Sequence, residues 1–319
     1  LIAAVTDPRS RIRVVITLRA DFYDKPLNYV KFGELMQKRT EIVLPLSADE
    51  IERAVNGPAE RAGLLLERGL TTSIVTDVNE QPGALPLLQY ALTELYERRD
   101  GRTLSLKAYH EMGGTLGALA QRADELYDGL GDEGQEAARQ MFLRLVTLGE
   151  GTEDTRRRVM QDELMSIGDR DEMSMVLDAF GRYRLITFDR DPSNRAPTIE
   201  VAHEALIRQW ARLRAWLNES REDLRLQRRI ASAADEWRAA NLESSFLVRG
   251  GRLEQFEEWA NNTNLTLNDV EREFLQASIT ERETRIAEEK RRQEREAALE
   301  RRSQNRLRML VAVFAGAAV

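Results

Sequence analysis

Apolar residues early in the chain run together instead of alternating. In "VVITLRADFYD", Val14, Val15 and Ile16 follow one another with no polar residue between them. That pattern predicts a strand buried on both faces and ending on Arg19. In open α/β sheets the carboxyl ends of strands are where ligands bind, which makes Arg19 chemically interesting. A helix-like run to Lys38 and a second apolar run, "TEIVLPL", ending at Leu46, predict a βαβ unit with parallel strands over residues 1–46. "SADE" follows, where Ser47 can cap a helix and Glu50 can reach back to it. Helical periodicity then takes over at 51–56, restarts at Pro58 as a first helical residue, and returns at 70–78 and 85–99. "GRTLSLKAYHEMGG" reads as a connector to one more helix through Tyr127, and residues 47–130 together read as a helical lid packed against the sheet. Beyond it the pattern predicts a helix at 133–148, a polar loop, a short helix near Asp162 and a helix at 173–183. Two short strands at 185–188 and 198–201 flank a turn rich in Pro, Asn and Asp, and a last helix follows. Helices followed by a β-hairpin wing are the winged variant of helix-turn-helix, assigned to 131–217.

Residues 218–279 read as a further helical domain. Four tryptophans, Trp210, Trp216, Trp237 and Trp259, are expected to lock that layer to the one before. Residues 280–308 hold ten Lys/Arg and seven Asp/Glu with few apolar positions, the texture of a solvated connecting helix. From Met309 to Val319 the chain is apolar, about half of the roughly 20 residues that a membrane span needs. With Arg301, Arg302, Arg306 and Arg308 beside it, this reads as the start of a truncated transmembrane helix. The expected location is therefore the cytoplasmic side of a membrane, with a single-span anchor. The first residue is Leu1, so the sequence is read as a fragment.

Length and charge narrow the function classes. The 319 residues allow two or three domains, each with its own core. A net charge of −7 gives the chain as a whole no electrostatic reason to coat nucleic acid. There is no cysteine, which excludes disulfides, thiolate metal sites and cysteine nucleophiles, and two histidines leave little for a histidine metal site.

No stretch matches G-x-x-x-x-G-K-[S/T], the loop that cradles phosphates, and no apolar run ends in an acidic pair suited to Mg²⁺. What the chain offers instead are candidates for sensing a nucleotide. Arg19 can present its planar donor fork to a terminal phosphate, or pair with Asp21 or Asp24. "QPGALPLLQYAL" places Gly83 and Pro86 at a helix entrance, either to press an apolar edge on a base or as a plain helix start. His203 follows a strand at the first turn of a helix, where it can donate a proton to an anion or serve as a local cap or packing residue. "TRRR" at 155–158 is a basic loop that can meet phosphate, DNA or an acidic surface, or remain solvated. His110 reads as a surface residue.

Taken together, "VVITLRADFYDKPL", "QPGALPLLQYALTELYERR", "LVTLGEGTEDTRRRV" and "IEVAHEALIRQWARLRAWL" resemble the novel STAND NTPase family of bacterial signalling ATPases, often joined to WD-repeat propellers. The resemblance covers roughly residues 1–305. It implies a mixed, mainly α fold: the C-terminal part of an AAA-like α/β P-loop NTPase core, then helical lid, winged helix and helical domain. It further implies a switch that closes over ADP and opens on exchange for ATP. Arg19 would read the terminal phosphate, Pro86 with Gly83 would contact adenine, and His203 would hold the ADP β-phosphate. Two residues separate Gly83 from Pro86 where the family pattern has one. The parent protein is expected to be a slow ATPase using Mg²⁺ and to form homo-oligomers when active, and this stretch is expected to be inactive alone. Two other readings stand beside it, a winged-helix DNA-binding regulator and an AAA-type remodelling motor.

Overall fold

Helix formers and turn residues dominate the chain, and the computed structural model is accordingly mainly helical. It describes residues 2–18, 23–79, 85–149 and 151–317 and forms two units, Leu1–Ile51 and Glu52–Val319. Among the described residues the first unit holds the helices α1 (Ile2–Thr6), α2 (Asp24–Leu27) and α3 (Val30–Arg39) and the start of the next. Lys38 and Arg39 close α3 where cations favour the carbonyl end of a helix. Among the described residues the two strands expected here are not formed. Residues 11–18 and 40–46 carry no ladder, and Val15 and Val43 are 90% and 92% exposed. A strand apolar on both faces needs neighbours along its edges and layers above and below, and the described residues of this unit supply neither.

Helix α4 (Ala48–Arg61) starts where "SADE" predicts. The Ser47 amide donates to Glu50 Oε2 at 2.8 Å, and the Glu50 amide donates back to Ser47 Oγ at 3.4 Å. The helix runs unbroken through Pro58 instead of restarting there. Proline removes one hydrogen bond, but Ile51, Val55 and Ala59 form one buried stripe across it, and that packing carries the helix through. A parallel pair, β1 (Leu65–Leu66) with β2 (Thr103–Leu104), brackets α5 (Leu70–Asn79) and α6 (Leu85–Glu97). The expected connector thus contains a strand and a helix, α7 (Leu106–Glu111), capped by Ser105 Oγ accepting from the Ala108 amide. Helix α8 (Gly114–Asp128) packs on α5 and α6. Its start needs glycine: Gly114 has φ 69°, and a Cβ there would lie 2.6 Å from the Asp77 carboxylate. That carboxylate accepts from the buried Tyr109 hydroxyl, which also meets Thr115 Oγ at 2.8 Å.

The next layer contains α9 (Asp132–Arg144), β3 (Val146–Thr147), β4 (Thr155–Arg156), β5 (Val159–Met160), α10 (Gln161–Met165), α11 (Arg170–Arg182), β6 (Ile186–Arg190) and β7 (Pro197–Val201), and ends in α12 (Glu204–Gln209) and α13 (Ala211–Glu219). The helix predicted to 148 stops at Arg144 because Val146 and Thr147 pair with Arg156 and Thr155 instead. Strands β5, β7 and β6 form one antiparallel sheet in that order. Phe142, Phe180 and Trp210 meet edge-on or tilted in the core between α9, α11 and α12.

Helices α14 (Arg221–Ala239), α15 (Gly251–Asn262) and α16 (Asp269–Ala317) finish the fold. Each tryptophan ties neighbouring elements. Trp210 Nε1 donates to Asp124 at 2.8 Å and Trp259 Nε1 to Asp223 at 3.0 Å. Trp216 packs on Tyr127 and Trp237 on Phe274. The root of α16 is held from below. Glu271 accepts both Arg144 Nη atoms, at 3.0 and 2.7 Å, and both side chains are 1% exposed. Glu271 also caps its own helix reciprocally with Asn268. From residue 283 the side chains described on α16 are exposed. No helix among the described residues is long and apolar enough to cross a membrane.

Candidate functional site

Of the four candidate residues, Arg19 and Gly83 lie outside the described residues. Pro86 is the second residue of α6, exposed at its amino end, where a missing N–H costs no helical bond. His203 sits at the N-cap of α12 with extended backbone, and its side chain makes no capping bond. Instead the half-buried ring packs against Tyr90, with ring centroids 6.4 Å apart and planes at 66°. Tyr90 lies four residues after Pro86, on the same face of α6. The ring pair of Tyr90 and His203 thus brings His203 against α6, the helix that carries Pro86 in its first turn.

Electrostatics at that junction favour a neutral imidazole. Burial lowers the His203 pKa, and the nearby Arg156 guanidinium lowers it further. Arg156 is itself drawn toward Glu200 and Glu204, at 3.5 and 3.9 Å. Beneath His203, Tyr90 is buried and its hydroxyl has no hydrogen-bond partner. The hydroxyl lies beside Glu94 and Arg122, and burial, followed by the negative charge of Glu94, pushes its pKa up. Glu94 is 3% exposed and accepts Arg122 Nε at 3.2 Å on both oxygens.

A neutral histidine with an N–H to give, beside an arginine, suits an anion such as a phosphate. Pro86 at a helix entrance suits the apolar edge of a base. This donor set fits a nucleotide. Among the described residues no group of three His, Asp or Glu side chains stands close enough to hold a metal ion.

The "TRRR" stretch is part strand and part loop, and its arginines are paired. Thr155 and Arg156 form β4, Arg157 donates to Glu163 at 3.0 Å, and Arg158 pairs with Glu200 and Asp189. Tyr90, Glu94 and Arg122 escaped the sequence reading, since a tyrosine in an apolar helix face gives no local sign of chemistry. The one available clue was its i+4 spacing from Pro86.

The sequence model of the family described as Novel STAND NTPase 1 matches residues 1–245. No curated protein and no solved structure matches the chain.

Proposed function

Because the chain belongs to the novel STAND NTPase 1 family, we propose that it is the nucleotide-sensing portion of a STAND-type signalling ATPase, a switch closed by ADP and opened by ATP. In this reading residues 47–130 are the lid and 131–217 the winged helix. The order helix, three short strands, two helices and two strands from α9 to β7, with β5 paired to β7, supports the second assignment. Residues 1–46 are the distal part of an AAA-like core, whose exposed apolar runs at 12–18 and 42–44 suit strands of a larger sheet.

The observation that carries the reading is the junction itself. His203 makes no side-chain cap on its own helix and meets the helix that carries Pro86 in its first turn. ADP held by both elements adds contacts that exist only when they are together, and a ligand shifts an equilibrium only by such differential affinity. Pro86, with Gly83, takes the base, His203 the β-phosphate and Arg19 the terminal phosphate of ATP. Signal transduction, a WD-repeat propeller, membrane anchoring, assembly into homo-oligomers when active and Mg²⁺ use by the parent protein belong to the same proposal.

The DNA-binding alternative finds no support in α11. Its Met173, Val176, Leu177 and Phe180 are spent on the core, and its first turn carries Asp171 and Glu172. The test is ADP exchange in the full chain. His203→Ala should release ADP faster than wild type, and equal retention would overturn the assignment.

A further inference from the structure

His203 needs something to aim it, because no bond to its own helix does so. The neighbour that meets its ring is Tyr90, and three features make Tyr90 a rigid support. It stands inside α6, with Leu87, Leu88, Ala91, Glu94 and Leu95 buried around it. Its ring meets His203 within the roughly 4.5–7 Å range of specific aromatic pairs, close to perpendicular. Its hydroxyl end rests beside Glu94 and Arg122, an ion pair fixed in turn by Arg122 reaching Glu125 at 2.9 Å and lying over the Tyr183 ring at 4.7 Å.

We propose that Tyr90 is a positioning residue through which α6 sets the orientation and solvation of the His203 ring, so that this histidine is poised only while α6 and α12 are joined. The proposal deepens the nucleotide-switch reading and rests on it for its consequence, the retention of ADP. Its geometric part stands without a nucleotide. In this proposal the Tyr90 ring, standing against the half-buried imidazole, keeps water from it. The charged groups on the surrounding elements are Arg156 on β4 with its partners Glu200 and Glu204, Glu94 on α6, and Arg122 on α8. Removing the tyrosine ring changes none of them but lets water reach His203.

An NMR titration of the nucleotide-free full-length protein with labelled histidine follows His203, and the signal lost in His203→Gln gives the assignment. Tyr90→Leu should raise the His203 pKa toward the ordinary value of about 6.5 and speed ADP loss several-fold. Tyr90→Phe, which keeps the ring, should leave both as in wild type. An unchanged His203 titration in Tyr90→Leu overturns the proposal, and Tyr90→Met is read in the same way should the leucine variant fail to fold. A titration that moves while His203→Ala still holds ADP normally keeps the positioning role and removes the nucleotide reading. ADP lost from His203→Ala with an unmoved titration in Tyr90→Leu does the reverse.

Discussion

At the scale of single residues, the switch reading makes His203 worth what one charge-assisted hydrogen bond is worth. His203→Ala should cost about 1–3 kcal/mol of closed-state stability in ADP, seen as roughly 5- to 150-fold weaker ADP affinity by calorimetry. Protonation gives a second handle. The folded pKa of His203 lies below its ordinary value, so above about 6.5 the ring is neutral in both states and costs nothing. As pH falls from there toward the folded pKa, the unfolded chain takes up a proton that the folded chain refuses, and stability drops. Glu163 acts in the same direction at lower pH. Burial works to raise its pKa, but Arg157 and Arg144 overcome it and hold the carboxyl below its usual range, so its stabilisation is lost as pH falls through the carboxylate range. The melting temperature should therefore fall in two stages on acidification, and His203→Gln should remove the upper stage alone. None of this could be read from His203's immediate neighbours in sequence, where capping, packing and anion binding all fit. Only the arrival of Tyr90 from 113 positions away decides that the ring packs and does not cap.

At the scale of elements, local chemistry in the sequence located much of the fold. "SADE" marks the start of α4, "DPSNRAP" the turn between β6 and β7, and the apolar spacing of α6 and α11 sets which face is buried. The errors share one cause, since tertiary packing outweighs local preference. Pro58 should break α4 but lies behind a continuous buried stripe, and Val146 leaves helix α9 because β4 is there to pair with it. The root of α16 offers a test of such long-range ties. Arg144 and Glu271, 127 positions apart, form a bidentate buried pair. Removing one partner by Glu271→Gln or Arg144→Met should destabilise the chain by about 3–5 kcal/mol, whereas Arg144→Met with Glu271→Leu should recover most of that loss, as chemical denaturation would show. Arg228 sharpens the point. It is half-buried, has no carboxylate partner among the described residues, and donates to the carbonyls of Arg144 and Val146, each at 3.0 Å. Burial, then Arg157 and Arg144, lower its pKa to about 9. Losing the negative charge of Glu271 leaves three arginines facing Glu163 alone among the bonded carboxylates.

At the scale of the whole molecule, the proposal joins elements that each look structural alone. Asp124 on α8 receives both Trp210 Nε1 and Arg212 Nε, and Arg212 also reaches Asp128 at 2.9 Å. These contacts tie the layer of α6 and α8 to that of α12 and α13 at the same junction that holds His203. Asp124→Ala leaves a buried indole N–H unpaired, costing about 1–3 kcal/mol. Under the switch reading it should also hasten ADP loss although it touches no nucleotide. The apolar runs of the first unit read as strands in the sequence but carry no ladder among the described residues, since a strand takes shape only beside its partners. The central claim is that the joined junction is the ADP-bound state. The most direct measurement is to purify the full-length protein without added nucleotide, denature it and identify what is released. The account predicts stoichiometric ADP from wild type and a reduced amount from His203→Ala. A folded wild-type protein that releases no nucleotide would contradict it.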